Sequence, residues 1–231
     1  MVSNWFQSIS LAKSEFLNII SDDDLIYDGN VYKKAIENLN NEDLNYFISN
    51  SVLMKNNNYN EIKYRSKLST YTPLDIIKAW NYGRLNIYPC SVIARTKTLK
   101  QNIDDYNLKN QKINLCIDTF IFYPSFCKEK YILFSESPLC IYRVHESIGK
   151  TTNFSKWVED YKNLKNLLTS IVDRKFTNEI ANCFNHLICF SEFVNFYKTG
   201  KSNLTSIYDF KHIVMYLFYR FFLKLNDKKH F

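Results

Sequence analysis

The hydrophobic pattern changes period once along the chain, near residue 154, and that change limits the fold more than any other feature. Before it, short apolar runs of strand length alternate with stretches at helical spacing. After it, from Ser155 to the end, the spacing is helical, with turn signals at "DRKFTN" and "KTGKSN". Alternating strands and helices build an α/β layer structure, and a run of helices appends to it. The expected division is therefore residues 1–153 as an α/β unit and residues 154–231 as a helical region.

Local signals fill in the first part. Trp5, Ile9 and Ala12 recur at helical spacing behind Ser3, a cap residue. "FLNII" is a strand-length run that stops at Asp22, Asp23 and Asp24. Val31, Ala35, Ile36 and Leu39 share one face of a second helix. "LNYFISNSVLMK" and "EIKYRSKLS" read as two strands joined by an Asn-rich loop. "TPLDIIKAWNYG" is a helix with Thr72 as cap, Pro73 at its first position and Gly83 at its end. In "LNIYPCSVIAR" the proline, Pro89, implies an edge strand or a bulge. "TKTLKQNIDDYNL" is helical, and "KYILFSESPLCIYRVH" holds two apolar runs broken by Pro138.

Composition removes several classes. Four Gly and four Pro exclude collagen-like and Pro-rich disordered chains. The formal charge is +7, but the basic residues form no stripe interleaved with aromatics, so nucleic acid is not an expected partner. Cys90, Cys116, Cys127, Cys140, Cys183 and Cys189 include no C-x-x-C pair and no zinc spacing with histidine. Most lie in apolar stretches, as free thiols of a reducing compartment do. The N-terminus lacks a basic region followed by an apolar core, so it does not read as a signal peptide. The expected location is cytoplasmic.

Three segments carry chemistry. Adjacent Asp22, Asp23 and Asp24 repel one another unless a cation sits against them, and Mg²⁺ or Mn²⁺ suits oxygen ligands and brings phosphate with it. The bland alternative is a solvated loop or a helix cap. Asp118 is a lone acid in the apolar stretch "NLCIDTFIF": burial raises a carboxyl pKa toward the range of a general base, and a helix N-cap is the alternative. "SPLCIYRVHESIGKT" delivers Arg143 and His145 at a strand end, the first suited to clamp a phosphate and the second to complete a metal's ligands.

The order of these segments resembles the family 2 glycosyltransferases, inverting nucleotide-sugar enzymes with a GT-A fold. "NWFQSISLAKSEFLNIISDDD" is similar to that family's helix and strand leading into its D-x-D motif, with Lys13, Ser14 and Glu15 where the family often has Lys-Gly-Glu. "SVIARTKTL" resembles its strand followed by R-x-x-L. "IDTFIF" stands at its E-D, without the acid before the aspartate. "PLCIYRVHESIGKT" is similar to its P-L-x-x-Y-R-x-H ending. The resemblance spans residues 3–152 and implies a mostly parallel, Rossmann-like sheet flanked by helices. It implies that Asp22, Asp24 and His145 hold a divalent ion, and that Asp22, Asp23 and Arg143 meet the diphosphate of a nucleotide-sugar donor. Asp118 would then deprotonate a saccharide or lipid-linked acceptor for a cell-surface polysaccharide. Relative to the family, two strand–helix units that hold the nucleoside are missing before Met1, about 60 residues. That makes an inactive family remnant acting as an interaction module the alternative reading.

The final stretch, "SIYDFKHIVMYLFYRFFLKLNDKKHF", is apolar nearly all round. Its longest uncharged run falls short of the about 18 residues that cross a bilayer. One expectation is a helix packed over the sheet. The other is a peripheral helix on anionic lipid, with Arg220, Lys224, Lys228 and Lys229 at the headgroups. A metal-dependent phosphohydrolase fits poorly, because none of the four histidines pairs with an aspartate at useful spacing.

Overall fold

The computed structural model describes residues 2–41, 44–55, 58–59, 68–83, 85, 87–143, 154–200 and 207–230. In chain order the elements are α1 (Val2–Leu11), β1 (Phe16–Asn18), β2 (Leu25–Ile26), α2 (Gly29–Asn41), β3 (Tyr46–Lys55), β4 (Asn58–Tyr59), β5 (Leu68–Tyr71), α3 (Pro73–Asn81), β6 (Val92–Arg95), α4 (Thr96–Asp105), α5 (Ile117–Phe126), β7 (Ile132–Arg143), α6 (Phe154–Ile171), α7 (Arg174–Thr199) and α8 (Ile207–His230).

The strands form one sheet in the order β1-β6-β3-β7-β2, with β4 on β3 and β5 on β7. Only β3 and β7 run parallel; the β1/β6, β3/β6, β2/β7, β5/β7 and β3/β4 pairs are antiparallel. The sheet is thus mixed and not mostly parallel as the sequence suggested. The difference arises because β1, β2 and β5 are short strands laid against the long ones, not units of a βαβ crossover.

Alternation along the central strands divides the molecule into layers. Tyr46 and Ile48, Val92 and Ala94, and Ile132 and Phe134 face a large core shared with α1, α3, α4, α5, α6 and α7. Phe47, Ile93 and Leu133 face the opposite side, where Val31, Ala35 and Leu39 of α2 cover them. Ile36, expected on that face, is 37% exposed. The helical region is continuous with the main core: Val158, Leu164 and Leu168 of α6 and Ile180, Phe184 and Ile188 of α7 belong to it. Helix α8 packs through Tyr216 onto Tyr82, Cys183 and Leu187. Among the described residues no helix is long and apolar enough to cross a membrane.

Two local features differ from the sequence expectation. "FLNII" is not an interior strand. Its strand part, β1, ends at Asn18 and among the described residues pairs only with β6. The two runs around Pro138 are one strand, β7, with a register shift opposite Ser49 and Ser51 of β3. Proline has no N–H for the ladder, so the strand bulges there. The bulge is held by side chains: Leu139 N–H donates to Ser49 Oγ at 3.1 Å, and Asn50 Nδ2 to Glu136 O at 3.3 Å. Helix α3 matches its expected signals: Thr72 Oγ1 accepts from Asp75 N, Pro73 opens the helix and Gly83 follows it at φ +62°. A 3₁₀ turn at Pro89–Ser91 accounts for Pro89 just before β6. The second strand expected in "EIKYRSKLS" lies mostly outside the described residues.

Candidate functional site

The three aspartates sit in a turn beyond β1, and their environments differ. Asp22 is exposed, Asp23 is half-buried and Asp24 is buried. The Asp24 amide donates to Ser21 O at 3.1 Å, which closes the turn. Its Oδ1 accepts the Arg143 backbone N–H at 3.2 Å, so the turn is docked on the end of β7. Burial pushes the Asp24 carboxyl above its ordinary range and the Asp23 charge adds to this, against hydrogen bonds from the Arg143 amide and the Cys90 thiol.

Arg143 closes β7. Its Nε is buried and has no hydrogen-bond partner among the described residues. A buried N–H without an acceptor is costly, and a bound anion is one way to satisfy it. The preceding residue, Tyr142, stacks on Tyr88 with ring centroids 3.8 Å apart and planes 11° apart. Its phenol is pushed up to about 12, first by burial, then by Tyr88, Asp24 and Asp118. Asp24 and Asp118 therefore both lie in the electrostatic neighbourhood of Tyr142.

Asp118 occupies the first turn of α5, whose N-cap position is Cys116. It is thus inside the helix and not its cap. Burial raises its carboxyl to about 6, against hydrogen bonds from the Thr119 amide and its own, with the Asp160 charge adding to the rise. A carboxyl with that pKa is ionised at neutral pH yet basic enough to accept a proton.

The group that holds the α5 N-terminus is Asp160 of α6. It is fully buried. Its carboxylate accepts the backbone N–H groups of Asn114 (2.9 Å to Oδ1), Leu115 (2.7 Å to Oδ2) and Cys116 (2.9 Å to Oδ2), and also Asn114 Nδ2 at 2.9 Å. A carboxylate that gathers the free amides at a helix start caps it from another element. Asp160 was not foreseen. Its only sequence signal is an acid beside the buried stripe of Val158, Leu164 and Leu168.

Two segments that carried the family resemblance meet at the far side of β1. Glu15 Oε1 pairs with Arg95 Nη1 at 2.5 Å, and the Glu15 carbonyl accepts Thr96 N–H at 2.9 Å. Asn18 then ties β1 to the turn before β6, donating to Val92 O at 2.8 Å and Cys90 O at 3.1 Å.

The described residues join Asp24 to the backbone of Arg143 and place Asp24 and Asp118 in the electrostatic neighbourhood of Tyr142. Asp22 and Asp23 precede Asp24 on the turn. His145 lies outside the described residues. Among those described, no three His, Cys, Asp or Glu side chains gather to hold a metal ion, and Asp24 Oδ1 is engaged by an N–H group. The described residues alone do not furnish a metal site.

No family model matches the chain, and no curated protein matches it. Among solved structures, it is similar to S. aureus TarS, residues 1–349, in complex with UDP-GlcNAc. The TM-score is 0.62 at 12% sequence identity, over 91% of this chain and 58% of that one. The likeness is one of fold alone, a mixed α/β arrangement. The chain spans 58% of the length of the structure it matches.

Proposed function

We propose that this chain is a glycosyltransferase subunit or segment that moves a sugar, with inversion, from a nucleotide-sugar donor to a saccharide or lipid-linked acceptor. The observation that carries the reading is the grouping of Arg143 and Asp24 at the end of β7. Arg143, whose buried Nε has no hydrogen-bond partner among the described residues, docks the buried Asp24 through its backbone N–H, and Asp24 and Asp118 share the electrostatic neighbourhood of Tyr142. Phosphate satisfies an unpaired guanidinium donor. In this proposal Asp22, Asp23 and Arg143 meet the donor diphosphate. Asp118 removes the acceptor proton, and the fold likeness to a protein solved with UDP-GlcNAc supports a nucleotide sugar as donor. A divalent ion, Mn²⁺ or Mg²⁺, would enter with the diphosphate and be met by Asp22, Asp24 and His145. Assembly of a cell-surface polysaccharide is the proposed setting.

Helix α8 adds a proposed location. Its outer face exposes Phe210, Val214, Leu217, Phe218 and Phe221, beside Lys211 and Arg220. An aromatic face flanked by cations suits peripheral contact with anionic lipid at the cytoplasmic side of a membrane.

The test is thermal stability with Mn²⁺ and uridine diphosphate. A ligand that binds only the native state stabilises by about 2.7 kcal/mol at a hundredfold excess over its Kd. The expected result is a rise in melting temperature that Asp24→Asn abolishes. The edge position of β1 favours a second reading, a catalytically inactive interaction module. Absence of any shift with every common nucleoside diphosphate would select it.

A further inference from the structure

We infer that Cys90 and Cys140 form a cross-linking site, closing to an intramolecular disulfide when the protein equilibrates with a small-molecule disulfide. Cys90 lies in the turn Pro89–Ser91 and Cys140 in β7, 50 residues later, with their sulfurs 2.7 Å apart. A disulfide bond is about 2.0 Å long, so well under 1 Å of further approach is required. All six cysteines are free thiols.

The fold holds both sulfurs in place from separate directions. Asn18 donates to Cys90 O and Val92 O, which ties the turn to β1. Cys140 is fixed by its register with Ser51 of β3 and Ile26 of β2, and its sulfur is 3.3 Å from Ser51 Oγ. Bridging them joins the Pro89–Ser91 turn to β7, in the electrostatic neighbourhood of Asp24.

The chemistry is ordinary exchange with glutathione disulfide. One cysteine sulfur attacks it and releases one glutathione thiol, leaving a mixed disulfide. The second cysteine sulfur displaces the remaining glutathione. Two protein thiols lose two electrons and two protons, and one glutathione disulfide becomes two thiols. Both sulfurs are wholly buried, so exchange in the native state passes through local opening. The outcome is therefore read at equilibrium.

The full chain is refolded from denaturant in reduced and oxidised glutathione, alkylated, and analysed by intact mass and non-reducing peptide mapping. The expected oxidised product is lighter by about 2 Da before alkylation and carries one bridge linking the Cys90 and Cys140 peptides. It should melt higher than the reduced form by on the order of 10 °C, reversibly with dithiothreitol. Cys140→Ser and Cys140→Ala should each abolish the bridge, and Cys127→Ser, at the half-buried thiol, should retain it. Full alkylation of Cys90 and Cys140 under oxidising conditions, or an oxidised form that melts no higher than the reduced one, would overturn the inference.

Discussion

The two halves of the proposed site are built differently. Asp118 stands on a ten-residue helix whose start is capped by Asp160, and the helix behind it is buried along nearly its whole length. The Asp22–Asp24 turn follows a three-residue strand at the edge of the sheet, and Asp24 is docked through one N–H group of Arg143. The proposed acceptor side is thus rigid, and the helical region supplies its rigidity through α6. The proposed donor side depends on a few contacts to the end of β7.

The largest expected effect comes from removing the cap. Asp160→Ala strands three backbone N–H groups and the Asn114 amide in a buried place. Hydrogen bonds to a charged acceptor contribute about 1.5–3 kcal/mol each, though not additively, and a loss of about 3–5 kcal/mol is expected. Urea denaturation measures it. A loss below about 1 kcal/mol would erase the contrast between the two halves.

Asp118→Asn should separate chemistry from folding. In a protein competent for transfer, it should lower sugar transfer by about 10²-fold or more, the scale of a lost general base, while leaving donor binding nearly unchanged. Its effect on stability has the opposite sign. The folded pKa is raised from the ordinary 3.8 to about 6. A raised carboxyl pKa means the folded state holds the proton more tightly, so stability falls as pH rises from about 4 to about 6 and then levels off. Asparagine removes that loss. At pH 7 the variant should be more stable by on the order of 1–3 kcal/mol, and the wild-type slope across that window should flatten. Transfer by the wild type should rise through about pH 6. A variant with full activity would show that another group takes the proton.

Arg143→Gln tests the donor side. It keeps the backbone N–H that docks Asp24 and removes the guanidinium. The melting temperature without ligand should change little, because the buried Nε has no hydrogen bond to lose. Affinity for uridine diphosphate, measured by calorimetry, should fall about tenfold, as for one charge-assisted bond. Unchanged affinity would place the phosphates elsewhere.

What the sequence made legible follows the same division. Helix α3 was readable because Thr72 and Pro73 act on its first turn and Gly83 just past its end, each through local backbone geometry. The layer alternation at Tyr46, Phe47 and Ile48 follows from the pleat alone. The direction of strand pairing was not readable, because nothing local tells β6 to lie antiparallel to both β1 and β3. The single strand across Pro138 was missed because Ser49 and Asn50, which satisfy its bulge, are some 90 and 86 residues away in sequence. Asp118 stood out as a lone acid in an apolar run. Asp160, which positions its helix from 44 residues beyond Cys116, carried no such mark. The aspartate run was visible at once, but its unequal burial depends on the docking of Asp24 against β7.

That unequal burial gives the smallest predicted effect. Asp22 is exposed and Asp24 is 8% exposed, although they are two residues apart. Asp22→Asn removes a solvated charge, and substitutions of that kind stay within about 0.5 kcal/mol of wild type. The melting temperature without ligand should therefore be unchanged. It does relieve repulsion in the aspartate run, so any change should be toward greater stability and should fade as salt screens the charges. Added Mn²⁺ and uridine diphosphate should restore the distinction. If Asp22 meets the metal–diphosphate complex, the ligand-induced shift should shrink in Asp22→Asn although the unliganded protein melts as wild type does. A full-sized shift in Asp22→Asn, with the shift lost in Asp24→Asn, would confine donor recognition to the docked aspartate and leave Asp22 as a solvated turn residue.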